Sequence, residues 1–247
     1  MSRDACITSF QKGDHICLFY RTPVEQLSAA GPFVQVGLER GERCLCVLPQ
    51  SELEGLLAWL SNAGVDVDER IANGALVLAK PEEAYLAGGS FNRELMLKFL
   101  DAGMREALRL HFTGFRGTGD LSWAARDSGA CSQMPEYEAM LDRYYPGKHC
   151  LGICMYDTAL FSPAQLASIQ QSHRLALAES PENKRRLRIR NGQAFGDVTF
   201  DRQMPRLFHY TVQKNDSNEF FHVGQAATLP AAINCVNSAL SSLAATQ

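Results

Sequence analysis

His15-Ile16-Cys17-Leu18-Phe19-Tyr20, followed at once by Arg21-Thr22-Pro23-Val24-Glu25, is a six-residue apolar run that ends in a turn. A run this short, apolar on both faces and followed by a helical pattern, reads as a strand covered by helices on both sides. The pattern behind it is a stripe of Leu27, Ala30, Val34 and Leu38, and the alternation then repeats. Residues 44–48, 75–79, 108–115 and 150–156 read as further strands, and Leu53, Leu56, Leu57 and Leu60 make a second helical stripe. Helices are expected from 91 to 108 and from 135 to 145. Gly41 and Gly64 sit where left-handed C-caps would close the first two helices, and Ser162-Pro163 reads as an N-cap with proline at the first helical position. On that last helix Leu166, Ile169, His173 and Leu177 share one face, which turns His173 toward protein. The fold class is therefore α/β, a mostly parallel sheet with helices on both faces.

Past residue 180 the texture changes. Residues 184–190, 194–200, 207–213 and 219–223 read as short strands between turn signals, and 229–243 reads as a closing helix. The expected division is 1–180 as the α/β core and 181–247 as a β-rich extension with a terminal helix. Its strands either lengthen the main sheet or form a small module docked on it.

Composition narrows the function classes. Of 247 residues, 46% are hydrophobic and 21% charged, as in ordinary globular proteins, and 24 basic against 27 acidic residues argue against a surface built for nucleic acid. The first fifteen residues lack the apolar centre of a signal peptide, and no apolar run approaches the roughly 20 residues that span a bilayer. A cytoplasmic protein with no membrane partner is expected, its eight cysteines mostly free and buried.

In a sheet of this kind ligands bind at the carboxyl ends of the strands. A nucleotide-binding loop would need glycines and a lysine after Tyr20, to wrap and neutralise phosphates, and Arg21-Thr22-Pro23-Val24-Glu25 has neither. ATP chemistry is thus not expected, and no cofactor is. His149-Cys150-x-x-x-Cys154 and Cys44-x-Cys46 lack zinc-ribbon spacing, so no metal site is expected either, although His15, Cys154 and His173 carry the donor types to assemble one. Were the first and fifth strands neighbours, Cys17 would approach Cys154. Arg186, Arg188 and Arg190 share a strand face; without interleaved aromatics this reads as a solvated face.

The residues from about Asp14 to Leu177 together resemble the MEDS family, the sensory domain of methanogens and methylotrophs named after the DcmR regulator, which looks like a RecA/KaiC-type core without its phosphate loop. The resemblance rests on the 14–20 strand, on Pro32-Phe33 and on Gly37-Leu38-Glu39-Arg40-Gly41-Glu42. It continues in Gly119-Asp120-Leu121-Ser122-Trp123, close to a family Gly-Glu-x-x-Trp pattern, then Tyr137-Glu138, Cys154-Met155-Tyr156-Asp157 and His173. Asp120 stands where the family usually has glutamate, and Ser172-His173-Arg174 lacks a proline that often follows the histidine. The resemblance implies a sensor of small molecules, with hydrocarbon derivatives as proposed ligands, often tied to a transcriptional or signalling output.

The expected site thus comprises His15, Asp120, Glu138, Asp157 and His173 as polar groups, Tyr20, Trp123 and Tyr156 as walls, and Cys154. The expected function is a non-enzymatic sensory domain that binds a small ligand, or a protein partner in a signalling pathway, and self-association as a homodimer is a further expectation. A metal- or nucleotide-dependent hydrolase using Asp120, Glu138 and His173, and a pure interaction module, are the rival readings.

Overall fold

The run at 15–20 forms strand β1 (His15–Tyr20), with all six residues buried. In the computed structural model, which describes residues 5–179, 184–192, 194–201, 208–214 and 220–245, β1 lies near the middle of one sheet. Helix α1 (Ala5–Ser9) precedes it. After it come α2 (Pro23–Glu39), β2 (Arg43–Val47), α3 (Gln50–Asn62), α4 (Val67–Ala72), β3 (Leu76–Ala79), α5 (Pro81–Ala84) and α6 (Arg93–Arg109). Then follow β4 (Phe115–Asp120), a 3-10 turn at Ser122–Arg126, α7 (Ser128–Tyr144), β5 (Cys150–Asp157), α8 (Pro163–Gln171) and β6 (Leu175–Glu179). The chain continues through β7 (Lys184–Asn191), β8 (Ala194–Asp201), β9 (Phe208–Lys214), β10 (Phe220–Ala226) and α9 (Leu229–Ala245).

The strand order is β10-β9-β8-β7-β6-β1-β5-β4-β2-β3. The six strands from β3 to β6 run parallel, and from β6 outward each pair is antiparallel. The expected α/β class is present, and of the two arrangements open for the tail it is the sheet extension that forms. Leu207 and Glu219, where two of the tail strands were expected to start, lie outside the described residues. Arg186, Arg188 and Arg190 alternate with buried Leu187 and Ile189; Arg188 meets Asp197 with two hydrogen bonds of 2.8 and 2.7 Å and stacks on Phe195, and Arg186 is exposed.

Strand alternation sorts the core into two layers. Ile16, Leu18 and Tyr20 of β1 and Leu151, Ile153 and Met155 of β5 pack with α2, α3 and, at the tail, α9. Cys17, Phe19, Cys150, Cys154 and Tyr156 pack on the opposite face, with α6, α7 and α8.

The helix expected from 135 begins at Ser128 and holds Pro135 inside it, and two other elements depart from the sequence reading. The expected strand at 108–115 is the end of α6 and a turn, and the strand begins at Phe115. The helix closes in a Schellman motif: the Phe112 amide donates to Ala107 O (3.0 Å) and the His111 amide to Leu108 O (3.0 Å), with His111 at φ 64. That position usually carries glycine, as Gly41 (φ 70) and Gly64 (φ 86) do at the ends of α2 and α3; here histidine hides the stop signal. The second departure is α8, which ends at Gln171, so that His173 lies in the turn behind it and Leu177 lies on β6 rather than on the helix. The alternating Leu-Ala-Leu-Ala run satisfies helical spacing too. Pairing with the free edge of β1, in register Ile16 with Leu175 through Phe19 with Ala178, decides the matter.

β4 contains Gly117 and Gly119, and β5 contains Gly152, all facing tyrosines of the α6/α7 layer. A Cβ at Gly119 would strike the Tyr85 hydroxyl, and one at Gly152 would strike the Tyr145 hydroxyl and lie 2.7 Å from its Cζ. Gly152 pairs with His15 across β1 and β5, and the Tyr145 ring stacks on His15 at 5.3 Å. Gly152→Ala is therefore expected to destabilise the fold by about 1–3 kcal/mol through overpacking, read as a lower urea midpoint with an unchanged slope; an unchanged midpoint would show that the tyrosine moves freely.

Candidate functional site

The alternation that builds the sheet also divides the predicted site residues between its two faces. On the α7/α8 face, His15 opens β1, Cys154 and Tyr156 lie on β5, Glu138 projects from α7, and His173 follows α8. All five are buried. Oε2 of Glu138 lies 3.1 Å from His15 Nε2 and 3.1 Å from His173 Nε2. The Tyr156 hydroxyl donates to the other oxygen, Oε1. Cys154 Sγ is 3.5 Å from His15 Nε2, and the two imidazoles stack at 4.4 Å. The four ligand-type atoms of His15, Glu138, Cys154 and His173 all lie within 4.8 Å of one another.

The outer nitrogens fix the rings. His173 Nδ1 lies 2.8 Å from Ile169 O, an acceptor only, so this nitrogen carries the proton and Nε2 turns inward. His15 Nδ1 faces Asp142 Oδ1 at 3.5 Å. Glu138 and Asp142 are one helical turn apart on α7, which aims both carboxylates at His15. Burial alone would raise the pKa of Glu138, but the two imidazoles outweigh it and hold the carboxyl far below the usual range. For His15 burial works against the charged form, yet Asp142 and Glu138 prevail and raise its pKa. Burial, reinforced by Glu138, pushes the Cys154 thiol well up.

On the opposite face, at the carboxyl edge, three more predicted residues meet. Asp120 ends β4, Tyr20 ends β1 and Asp157 ends β5. Oδ2 of Asp120 accepts from the Tyr20 hydroxyl at 2.5 Å and from Gln26 Nε2 at 2.8 Å, and Oδ1 accepts from the Ser122 amide at 2.8 Å. Gln26 Nε2 also donates to Glu52 at 2.7 Å, and the Asp157 amide donates to the Ser122 hydroxyl at 2.9 Å. Burial raises the pKa of Asp120, with Asp157 adding to it against the lowering effect of its donors. Burial, then repulsion from Asp120, lifts Glu52 to about 7.

Trp123 belongs to neither group: half-buried on the turn after β4, its ring lies 5.5 Å from Tyr85 and 5.5 Å from Phe91. Cys17 and Cys154 are paired in register as neighbouring strands require. Sequence reasoning missed Gln26, Glu52, Ser122, Asp142 and Tyr145. The i, i+4 pair Glu138/Asp142 was the one signal present for Asp142; Gln26 and Glu52 sit early on α2 and α3, where nothing in the spacing distinguishes them from ordinary first-turn polar residues.

Because folded Glu52 keeps its proton to about pH 7, whereas the unfolded side chain releases it near 4.5, the folded state binds the extra proton between those values. Stability is thus greatest below that window and falls as pH rises through it. Thermal melts from acid to neutral pH should show this fall in the wild type and a flatter profile in Glu52→Gln; identical profiles would place Glu52 in ordinary solvent.

Comparison with curated proteins finds no match. Among solved structures the chain is similar to the KaiC-like protein PH0186 from the hyperthermophilic archaeon Pyrococcus horikoshii OT3, with a TM-score of 0.48 and 15% identity over 78% of this chain and 87% of that one. It is similar also to the flagellar accessory protein FlaH from Methanocaldococcus jannaschii, with a TM-score of 0.47 and 11% identity over 92% of this chain and 96% of that one. The family model of the methanogen/methylotroph, DcmR sensory domain matches residues 14–174, a span that holds both the buried His15/Glu138/His173 group and the carboxyl-edge network. With most of its length matched, and every predicted site residue inside the matched span, the chain belongs to the MEDS family of sensory domains.

Proposed function

We propose that this chain is a non-enzymatic sensory module that binds a small hydrocarbon derivative at the carboxyl edge of its sheet, through a ligand head that donates hydrogen bonds or carries positive charge. The observation that carries the reading is the convergence of three carboxylates, Glu52, Asp120 and Asp157, on the ends of β1, β4 and β5. Glu52 and Asp157 keep some solvent contact, and Asp120 is buried behind them with its donors. Such a group attracts cations and donors and repels phosphates.

The start of α2 supports the same reading. Helix N-termini bind phosphate when their amides are free. Here the Thr22 hydroxyl accepts from the Glu25 amide at 3.2 Å, and the Glu25 carboxylate accepts from the Arg21 amide at 2.7 Å. The chain's own acid takes an amide at this helix start, which disfavours a phosphate there. A ligand bridging the loops after β1, β4 and β5 would favour one arrangement of them over another, which changes the surface offered to a downstream partner.

Calorimetric titration of the full chain with short alkylammonium ions and alcohols tests this. Binding is expected, with the affinity for the cations rising as pH passes through about 7 and Glu52 ionises, and with that pH dependence lost in Glu52→Gln. Tight binding of magnesium ATP with phosphate release would instead establish the hydrolase, and binding unaffected by Glu52→Gln would remove the proposed site.

A further inference from the structure

The buried group on the other face stands apart from the proposed ligand site: His15 and Tyr20 are opposite ends of β1, about 16 Å apart at the usual strand rise. Its donor set poses a problem of its own. Oε2 of Glu138 and Nε2 of His173 are buried with no aligned hydrogen bond among the described residues, although they are 3.1 Å apart. Had protons on the imidazoles been the whole solution, an N–H would point along that line. Instead the inward nitrogens, the carboxylate oxygen and the Cys154 sulfur surround a common point.

We propose that His15 Nε2, Glu138 Oε2, Cys154 Sγ and His173 Nε2 form a tetrahedral site for one divalent transition-metal ion of zinc type. Bond lengths of about 2.0–2.2 Å to nitrogen and oxygen and about 2.3 Å to sulfur give tetrahedral edges of about 3.3 Å between N and O and about 3.5 Å between N and S. The observed 3.1, 3.1 and 3.5 Å match those edges, and the widest separation, within 4.8 Å, closes with a small side-chain rotation. The mixed imidazole, thiolate and carboxylate set suits zinc rather than magnesium or calcium, which take oxygen ligands.

The surrounding groups are those that such a site requires. His173 has an acceptor on its outer nitrogen, Ile169 O, which directs Nε2 at the ion and strengthens it as a ligand, and His15 Nδ1 faces the Asp142 carboxylate at 3.5 Å without an aligned hydrogen bond. Tyr156 occupies Oε1 of Glu138 and leaves Oε2 for the metal. On binding, the Cys154 thiol releases its proton, as coordinated thiols do despite a burial-raised pKa. The carboxylate and thiolate together then neutralise the ion's two positive charges. With all four ligands buried, loading is coupled to folding.

The test is to unfold the purified full chain and refold it with Zn2+ or Co2+, followed by metal analysis and absorption spectroscopy. One ion per chain is expected, with the visible bands of tetrahedral cobalt, a near-ultraviolet thiolate-to-cobalt band, and a rise in Tm with zinc that a chelator reverses. Cys154→Ser should lose the thiolate band, and His173→Gln should weaken zinc binding at least tenfold. A refolded chain with native circular dichroism that holds no stoichiometric metal would overturn the proposal. So would a thiolate band that survives Cys154→Ser, since seven other free cysteines are present.

Discussion

Glu138 has no contact with solvent and its carboxyl is held toward the ionised form by the two imidazoles beside it; a buried ion costs several kcal/mol unless opposite charge and donors meet it. What meets it comes from three places in the chain: His15 at the start of β1, the hydroxyl of Tyr156 on β5, and His173 in the turn after α8. These contacts tie α7 to the central strand pair and set where α8 must stop. α8 ends at Gln171, and that ending lets the residues from Leu175 on pair with β1. The glycine opposite His15 belongs to the same arrangement, because the ring of Tyr145 fills the space its missing side chain leaves and stacks on that histidine.

The period of two along a strand explains why residues that looked like one crevice form two centres. Tyr20 and His15 are on one strand but differ by an odd number of positions, so they point to opposite faces, as do Asp157 and Cys154 on β5. The carboxyl edge gathers acids against Gln26, Tyr20 and Ser122 on one side. Beneath the other side lie imidazoles, a thiol and Glu138. The two sets share strands without sharing contacts, so the chemistry of one does not require the other, while any shift of β1 or β5 reaches both.

Much of this was legible from residue order alone. β1, β2, β3 and β5 are short, mostly apolar runs of the kind parallel strands show, and glycine marked the ends of α2 and α3. β4 was not legible, because Phe115–Asp120 has two glycines in six residues and little strand propensity; its glycines answer to tyrosines far away in sequence. β6 was hidden by a spacing that fits helix and strand equally, and pairing with β1 resolved it. Among the site residues, the histidines, Cys154 and Glu138 stood out by type, but their meeting depended on the β1/β5 register, which no local pattern encodes. Gln26 and Glu52 became visible only once α2 and α3 were packed over the end of β4.

The central claim is that both histidines turn Nε2 toward Glu138, His173 with its outer nitrogen on Ile169 O and His15 with its outer nitrogen facing Asp142. The 15N-1H correlation spectrum of the imidazole rings in the full chain tests it most directly. His15 and His173 should both hold a proton on Nδ1, with no exchange to the alternative tautomer at any pH where the fold persists. A neutral ring at either position with the proton on Nε2 and a bare Nδ1 would contradict the account, since that Nε2 could not then bind a metal and, at His173, Nδ1 would have no proton to give Ile169 O.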